Sequence, residues 1–330
     1  MFSTPRHSIF EQHFGFPEKS PEFVRKNLRL DRGHLISTVN GKTYGCGHLE
    51  MPTLNALREQ SAEAAGTATS NTCLEVVGDA QSLHADPANA NALFQVASQF
   101  NLLEMCGPNE TPEMGVSKYA GDPTQGPACA LACFPGTVYR NYFVPLGGHT
   151  GQSREHQVDC LEDLGRELGN TGQSLWRMRN GYALATARGL EQISERLKQA
   201  DPVEKDRFRG LLRVGIQRDT AVTLPGAQHR VNQLYASALP VGYSEHSPEA
   251  WEPFARLVLE AAYEATLRAA MLTPGKRVFL TLLGGGVFGN RTQWIVDAIQ
   301  YALNRLGNAG LDISIVSYRT PNPALAPLMM

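Results

Sequence analysis

The sequence predicts an α/β fold built on a mixed, largely parallel central sheet. Two observations lead there. Short apolar, β-branched runs recur near 73–77, 92–100, 211–216, 231–236, 277–283 and 311–318, and amphipathic helical patterns alternate with several of them. With 330 residues, 42% hydrophobic and only 19% charged, the chain is large and apolar enough to bury a substantial core.

Taken in order, residues 1–69 read as an N-terminal extension. Its first 32 residues are polar and mixed. Leu35–Val39 and Thr43-Tyr44 then flank Asn40-Gly41, a hairpin signal, and Thr53 stands where a helix running to about Ala65 needs its N-cap. TATSNT, which follows, reads as a loop. From about residue 70 to 330 the chain reads as one domain. Cys73–Val77 is a strand, Gly78-Asp79 a turn, 80–84 a short helix and Ala92–Phe100 a second strand. Between about 151 and 210 helical patterns dominate, notably GLEQISERLKQA before Asp201-Pro202, which suggests a helical insertion. The strand rhythm resumes at Leu211–Ile216 and Val231–Ala236. A helix follows from Pro248 to Leu272, with Pro253 early enough to be tolerated, then a strand at Arg277–Leu283, a helix at Thr292–Leu306 and a last strand at Leu311–Tyr318.

Charge and cysteine usage narrow the function. Thirty basic residues against 32 acidic ones give a formal net charge of -2, too little positive field to favour nucleic acid or an anionic membrane. The six cysteines form no CxxC pair, and several sit in apolar runs such as ACALAC, which reads as reduced, buried thiols. His149, His156 and Cys160 match no standard metal-site spacing, so no metal is expected. The opening MFSTPRHSIFEQHF has no apolar stretch of signal-peptide length, and eighteen apolar residues never run together. The expectation is a cytoplasmic protein, in the producing cell or in the cytosol of a host.

The sharpest chemical signal is Gly284-Gly285-Gly286-Val287-Phe288-Gly289-Asn290, lodged between a strand and a helix. Glycines there let backbone amides approach an anion while the helix N-terminus adds unpaired donors, so a phosphate-bearing ligand is expected, the alternative being a plain glycine turn that lets strand and helix pack tightly. The run also spells G-x-G-x-x-G. However, only 41 residues follow Gly289, and the next strand ends Ser317-Tyr318-Arg319 without the acid that a dinucleotide dehydrogenase needs.

Four other places carry candidate chemistry. Asp79, followed by Ala80, either caps the helix it opens or receives donors from a ligand such as an adenine amino group. Asn101 ends a strand at the edge where parallel sheets bind ligands, or else only forms a turn, with Glu104 an outside candidate three residues on. The loop GVSKYAGDPTQGPAC offers Tyr119, Asp122, Thr124, Gln125 and Gly126 at another helix N-terminus, suited to water activation and pyrophosphate binding, or else forms only a turn at Asp122-Pro123. Asp219, in GIQRDT, ends a strand beside polar residues, either as a surface acid next to Arg218 or as an acid facing a cationic group or acting as general base.

The order Gly78-Asp79, strand-terminal Asn101, glycine loop into helix, then LTLLGGGVFGN into a second helix resembles the macrodomain superfamily, over roughly residues 70–320. The strings ALFQVASQFNLLEM, DPTQGPACALACFPGTVYRNYF, WRMRNGYAL and GIQRDTAVT look like its divergent, MavL-like group, which removes ADP-ribose from arginine side chains. The resemblance implies a three-layer α/β/α domain with an N-terminal extension and a helical insertion. It also implies ADP-ribose as ligand and product, an ADP-ribosylated protein as partner, and no cofactor. Residue by residue, Asp79 would hold the adenine amino group and Gly284–Asn290 would wrap the pyrophosphate, with Phe288 against a ribose. Asn101, Asp122 and Gln125 would face the distal ribose, and Asp219 would meet the guanidinium or position the attacking water. The chain departs from the family in reading Ser98-Gln99-Phe100-Asn101 where Asn-Ala-Ala-Asn is common, and in lacking a GGG run in its first loop.

The activity so implied is ADP-ribosyl-arginine hydrolysis, with Asp122 and Asp219 converging at one sheet edge to stabilise positive charge and aim a water. The alternatives are a reader module that binds ADP-ribose without cutting it, and a hydrolase of a small ADP-ribose derivative.

Overall fold

The computed structural model describes residues 8–63 and 69–330. The predicted helix end near Ala65 and the start of the TATSNT loop lie outside the described residues. A seven-stranded mixed sheet runs through the molecule in the spatial order His48–Glu50, Gly215–Ala221, Arg230–Ala236, Leu93–Ala97, Arg277–Leu280, Asp312–Ser317, Thr72–Val77. The last five pair in parallel, whereas Gly215–Ala221 runs antiparallel to both of its neighbours. Five parallel strands therefore share one carboxyl edge, and the Gly215–Ala221 strand ends at the opposite edge.

Burial on both faces explains the apolar strand runs. Val278 sits in register with Leu93 and Ile313, and all three join the core that contains the Pro248–Met271 helix. One residue on, Phe279 and Phe94 stack at 4.6 Å and point the other way, towards Leu83 and Cys133. The helices divide accordingly. Pro248–Met271 packs with Thr292–Leu306, Ala187–Gln199 and Leu54–Glu63, while Gln125–Ala132 packs with Ala80–Ala85 and Phe134–Tyr142.

Local signals account for the long helices. Ser247 caps the first, with Pro248 at the position that has no amide to lose, and Pro253 is accommodated early in its length. Its fully buried Glu264 is held by Arg58 at 2.7 and 2.8 Å, tying this helix to Leu54–Glu63. Thr292–Leu306 ends at Gly307, whose positive φ of 65° suits glycine.

The N-terminal segment is a packed layer. Strands Leu28–Asp31, His34–Ser37 and Thr43–Gly45 form an antiparallel sheet that includes the expected Asn40-Gly41 hairpin. Phe10, Phe14 and Phe16 bury themselves against Phe134, Val138 and Tyr142. Thr53 accepts the amide of Ala56, as an N-cap does.

Three expectations shift. The strand expected over 92–100 closes at Ala97, after which the chain folds back, with Leu102 at φ 64°. The strand expected at 211–216 occupies Gly215–Ala221 instead. The stretch 151–210 holds helices Glu162–Leu168, Ala187–Gln199 and Pro202–Gly210, but also a hairpin, Trp176–Arg179 paired with Tyr182–Ala185 across Asn180-Gly181. Both turn residues have positive φ, which explains the Asn-Gly pair.

Candidate active site

The carboxyl edge of the parallel strands opens into one crevice with two lobes. The inner lobe, about 730 Å³, is lined by Ala97, Ser98, Gln99, Glu104, Met105, Cys106, the Asp122–Pro127 turn, Tyr182, Tyr243 and the Thr281–Phe288 loop. The outer lobe is lined by Val77, Asp79, Ala80, Gln81, Leu131, Val316, Tyr318 and Arg319. Asp122, Thr124, Gln125, Thr281 and Gly286 line both lobes, so the two are continuous.

Two turns present unpaired amides to this crevice. In the glycine loop, Gly285 donates to Leu282 O, Gly289 to Gly286 O and Asn290 to Gly284 O, which closes the turn. The amides of Gly286, Val287 and Phe288 find no acceptor among the described residues, a run of donors suited to an anion. Tyr263, reaching up from the Pro248–Met271 helix, pins the loop's base by accepting from Leu283 N (2.8 Å) and donating to Thr281 O (2.7 Å). Gly284 has φ 75°, and a Cβ there would lie 2.4 Å from the Ala238 methyl. A Cβ on Gly286 would meet no protein atom within 4 Å, because that side of the residue faces the open crevice.

The second turn precedes the Gln125–Ala132 helix. Thr124 donates to Asp122 Oδ1 at 2.9 Å, and the amides of Gln125 and Gly126 are left without acceptors among the described residues. Gly126 lies against the central strand, where a Cβ would fall 2.0 Å from Ala97 O. Only glycine lets this helix start come so close to the strand end.

Carboxyl groups stand at both ends. Asp79 caps the Ala80–Ala85 helix, accepting from Ser82 N (2.9 Å) and Ser82 Oγ (2.6 Å), and those hydrogen bonds hold its carboxyl below the usual range. It therefore both caps and lines the outer lobe, beside Tyr318 and an Arg319 guanidinium lying 4.8 Å from the Tyr318 ring. Behind the inner lobe Glu104 is fully buried, with no accessible side-chain surface, and burial pushes its carboxyl up to about 7 against the opposing pull of Arg140. Arg140 Nη2 donates to both Glu104 oxygens at 3.1 Å. Phe288, Tyr182 and Tyr243 form an aromatic wall with centroids 5.1 to 5.5 Å apart.

Asp79, Ala80, Asp122, Thr124, Gln125, Gly126, Gly284, Gly286, Val287 and Phe288 thus meet around one space. Other sequence candidates stand elsewhere. Asp219 does not join Asp122: its strand runs antiparallel, so it lies at the far edge of the sheet, at a bulge with φ 57°, paired with Arg230 at 2.5 Å. Asn101 is fully buried beneath the Asn180-Gly181 turn, its amide donating to Gln157 and its oxygen accepting from Leu103 N. Tyr119 is likewise buried, its hydroxyl accepting the amide of Glu104. Gln125 lines the crevice, yet its side-chain amide is spent on the central strand, accepting from Ala97 N and donating to Gln95 O, both at 2.9 Å, which leaves it no free group for catalysis. Gly285, Gly289 and Asn290 shape the loop from behind, with Asn290 donating to Leu239 O.

Gln99, Cys106, Tyr182 and Tyr243 line the crevice without having been expected there. Asn180-Gly181, the same hairpin signal as Asn40-Gly41, was the available clue to Tyr182. Among the described residues no group of three His, Cys, Asp or Glu side chains is placed to hold a metal, and no helix is long and apolar enough to cross a membrane.

No family model matches the sequence, and no curated protein matches it. Among solved structures the fold is similar to poly(ADP-ribose) glycohydrolase from Deinococcus radiodurans in complex with ADP-ribose. That match has a TM-score of 0.46 and 13% identity over 84% of this chain and 90% of that one. It is also similar to the glycohydrolase from Thermomonospora curvata bound to the inhibitor ADP-HPD, with a TM-score of 0.44 and 12% identity over 94% and 97%.

Proposed function

We propose that this protein binds ADP-ribose along the crevice and hydrolyses the bond joining the distal ribose to an arginine side chain of a modified protein. The observation that carries the reading is the pair of unpaired-amide turns, Gln125-Gly126 and Gly286–Phe288, opening on one continuous space with Asp79 at one end and Asp122 between the lobes. A diphosphate with a nucleoside on one side and a sugar on the other fits that order. Adenine would lie in the outer lobe between Asp79 and Tyr318, the pyrophosphate on the amides, and the distal ribose against Phe288.

Breaking the N-glycosidic bond builds positive charge on the ribose as a guanidine departs. Asp122, half-buried and shared by both lobes, is the carboxylate we assign to stabilise that charge and hold the cationic leaving group. The far position of Asp219 removes it from this role. Cytoplasmic action on a modified protein, with no cofactor, completes the proposal.

The test is release of ADP-ribose from an arginine-modified protein. Asp122→Ala should slow release by roughly a hundredfold to ten-thousandfold with little change in ADP-ribose affinity. The Thr124 amide already held by Asp122 favours a second reading, in which the acid only shapes the loop of a non-catalytic reader. Tight calorimetric binding with no release from arginine, glutamate or serine linkages would select that reader.

A further inference from the structure

Gln99 stands where the chain folds back after the central strand, and its backbone is spent on that fold-back. Its N–H donates to Leu103 O at 2.8 Å, and its carbonyl accepts from Leu102 N at 2.9 Å. The Asn180-Gly181 turn closes over it, since a Cβ on Gly181 would lie 2.6 Å from the Gln99 Cβ. The residue is 7% exposed, so packing fixes the side chain in one place.

The carboxamide has one end committed and the other open. Met105 N donates to Gln99 Oε1 at 2.8 Å. A backbone N–H can only donate, which assigns the oxygen to that side and turns the NH2 the other way. That NH2 has no acceptor among the described residues, yet Nε2 is not one of the unpartnered polar atoms sealed away from solvent. Gln99 lines the inner lobe, so the NH2 opens on that space. The groups around it are spent elsewhere. Ser98 Oγ donates to Gln99 O (3.2 Å), the Tyr182 hydroxyl donates to Met105 O (2.7 Å), and both Glu104 oxygens accept from Arg140.

A largely desolvated N–H without an acceptor costs free energy, and an acceptor carried by a ligand removes that cost. Gln99 lines the inner lobe and not the outer one, where Asp79 stands. With adenine in the outer lobe and the pyrophosphate on the free amides, the part of ADP-ribose that reaches Gln99 is the distal ribose, whose hydroxyl oxygens accept hydrogen bonds. We infer that Gln99 is a specificity-determining residue whose side-chain NH2 donates to a distal-ribose hydroxyl oxygen, an inference that rests on the placement of ADP-ribose proposed above. It favours a ligand that carries this sugar over one that ends at the diphosphate.

The experiment is calorimetric affinity for ADP-ribose and for ADP, which lacks the distal ribose, with wild type, Gln99→Glu and Gln99→Met at about pH 8, where an introduced carboxyl is ionised. Gln99→Glu keeps an oxygen for Met105 N and turns the open end from donor to acceptor. Gln99→Met removes the donor without adding charge. Wild type should bind ADP-ribose more tightly than ADP. Both variants should weaken ADP-ribose binding by about tenfold or more and leave ADP binding within about twofold, so that the preference collapses. If Gln99→Met does not fold, Gln99→Glu decides alone. A folded variant that keeps the wild-type preference, or that loses affinity for ADP and ADP-ribose equally, overturns the inference while leaving the hydrolase reading intact. A wild type that binds neither ligand overturns the reading beneath it.

Discussion

The glycines of the 284–290 turn have different jobs, and substitution should separate them. Gly284 is needed by the backbone, with φ 75° and the Ala238 methyl against it, so Gly284→Ala should lower the melting temperature. Gly286 faces the open crevice in which the proposal places the ligand. Gly286→Val should leave the melting temperature unchanged and abolish ADP-ribose binding by calorimetry, because its side chain would fill the crevice. A second expectation concerns pH. The Glu104 carboxyl, raised from 4.5 to about 7 by burial, holds its proton in the folded state where the unfolded chain has lost it. Wild type should therefore gain stability relative to Glu104→Gln as pH falls from about 7 to about 5, measured by denaturant unfolding at several pH values. Asp219→Asn should leave turnover at the wild-type level. That acid looked catalytic in the sequence because GIQRDT places polar groups at a strand end. What the string does not carry is the direction of its strand relative to the others, and direction alone decides which sheet edge a strand end occupies.

At the scale of elements, the N-terminal layer braces the site. Glu18 accepts the amides of Val116 (2.9 Å) and Ser117 (2.8 Å) and the hydroxyl of Tyr142 (2.7 Å), fastening the segment that leads to Asp122. Glu18→Ala should cost roughly 1–3 kcal/mol from those unpaired groups, and hydrogen exchange at Val116 and Ser117 should quicken. Phe10, buried among Phe14, Phe16 and Phe134, should cost about 3–5 kcal/mol as Phe10→Ala in equilibrium unfolding. The helix over 248–271 was legible because its Ser247 cap, periodicity and Pro stop agree with one another, and that over 292–306 because its periodicity and Gly stop do. The Trp176–Ala185 hairpin was not, although Asn180-Gly181 marks it. Its strands, WRMR and YALA, are four residues each and gain their burial from the body of the protein, which short-range patterning does not reveal.

At the scale of the whole molecule, five parallel strands direct their carboxyl ends to one edge, and the two turns with free amides follow two of those strands. The glycine loop was readable in the sequence because positive φ at Gly284 and Gly289 shapes the turn that leaves its amides free, and glycine suits that backbone. The crevice wall of Cys106, Tyr182 and Tyr243 was less readable, since those side chains come from segments about 60 to 140 residues apart and meet only through the sheet. Asn101 illustrates the converse: its place after a strand suggested a ligand contact, yet the fold-back at Leu102 carries it under the hairpin. The most direct test of this arrangement is a crystal structure of the protein with ADP-ribose. The account predicts pyrophosphate oxygens within hydrogen-bonding distance of the Gly286, Val287 and Phe288 amides, adenine beside Asp79, and the anomeric carbon near Asp122. Nucleotide bound anywhere else, with those amides facing only solvent, would contradict it.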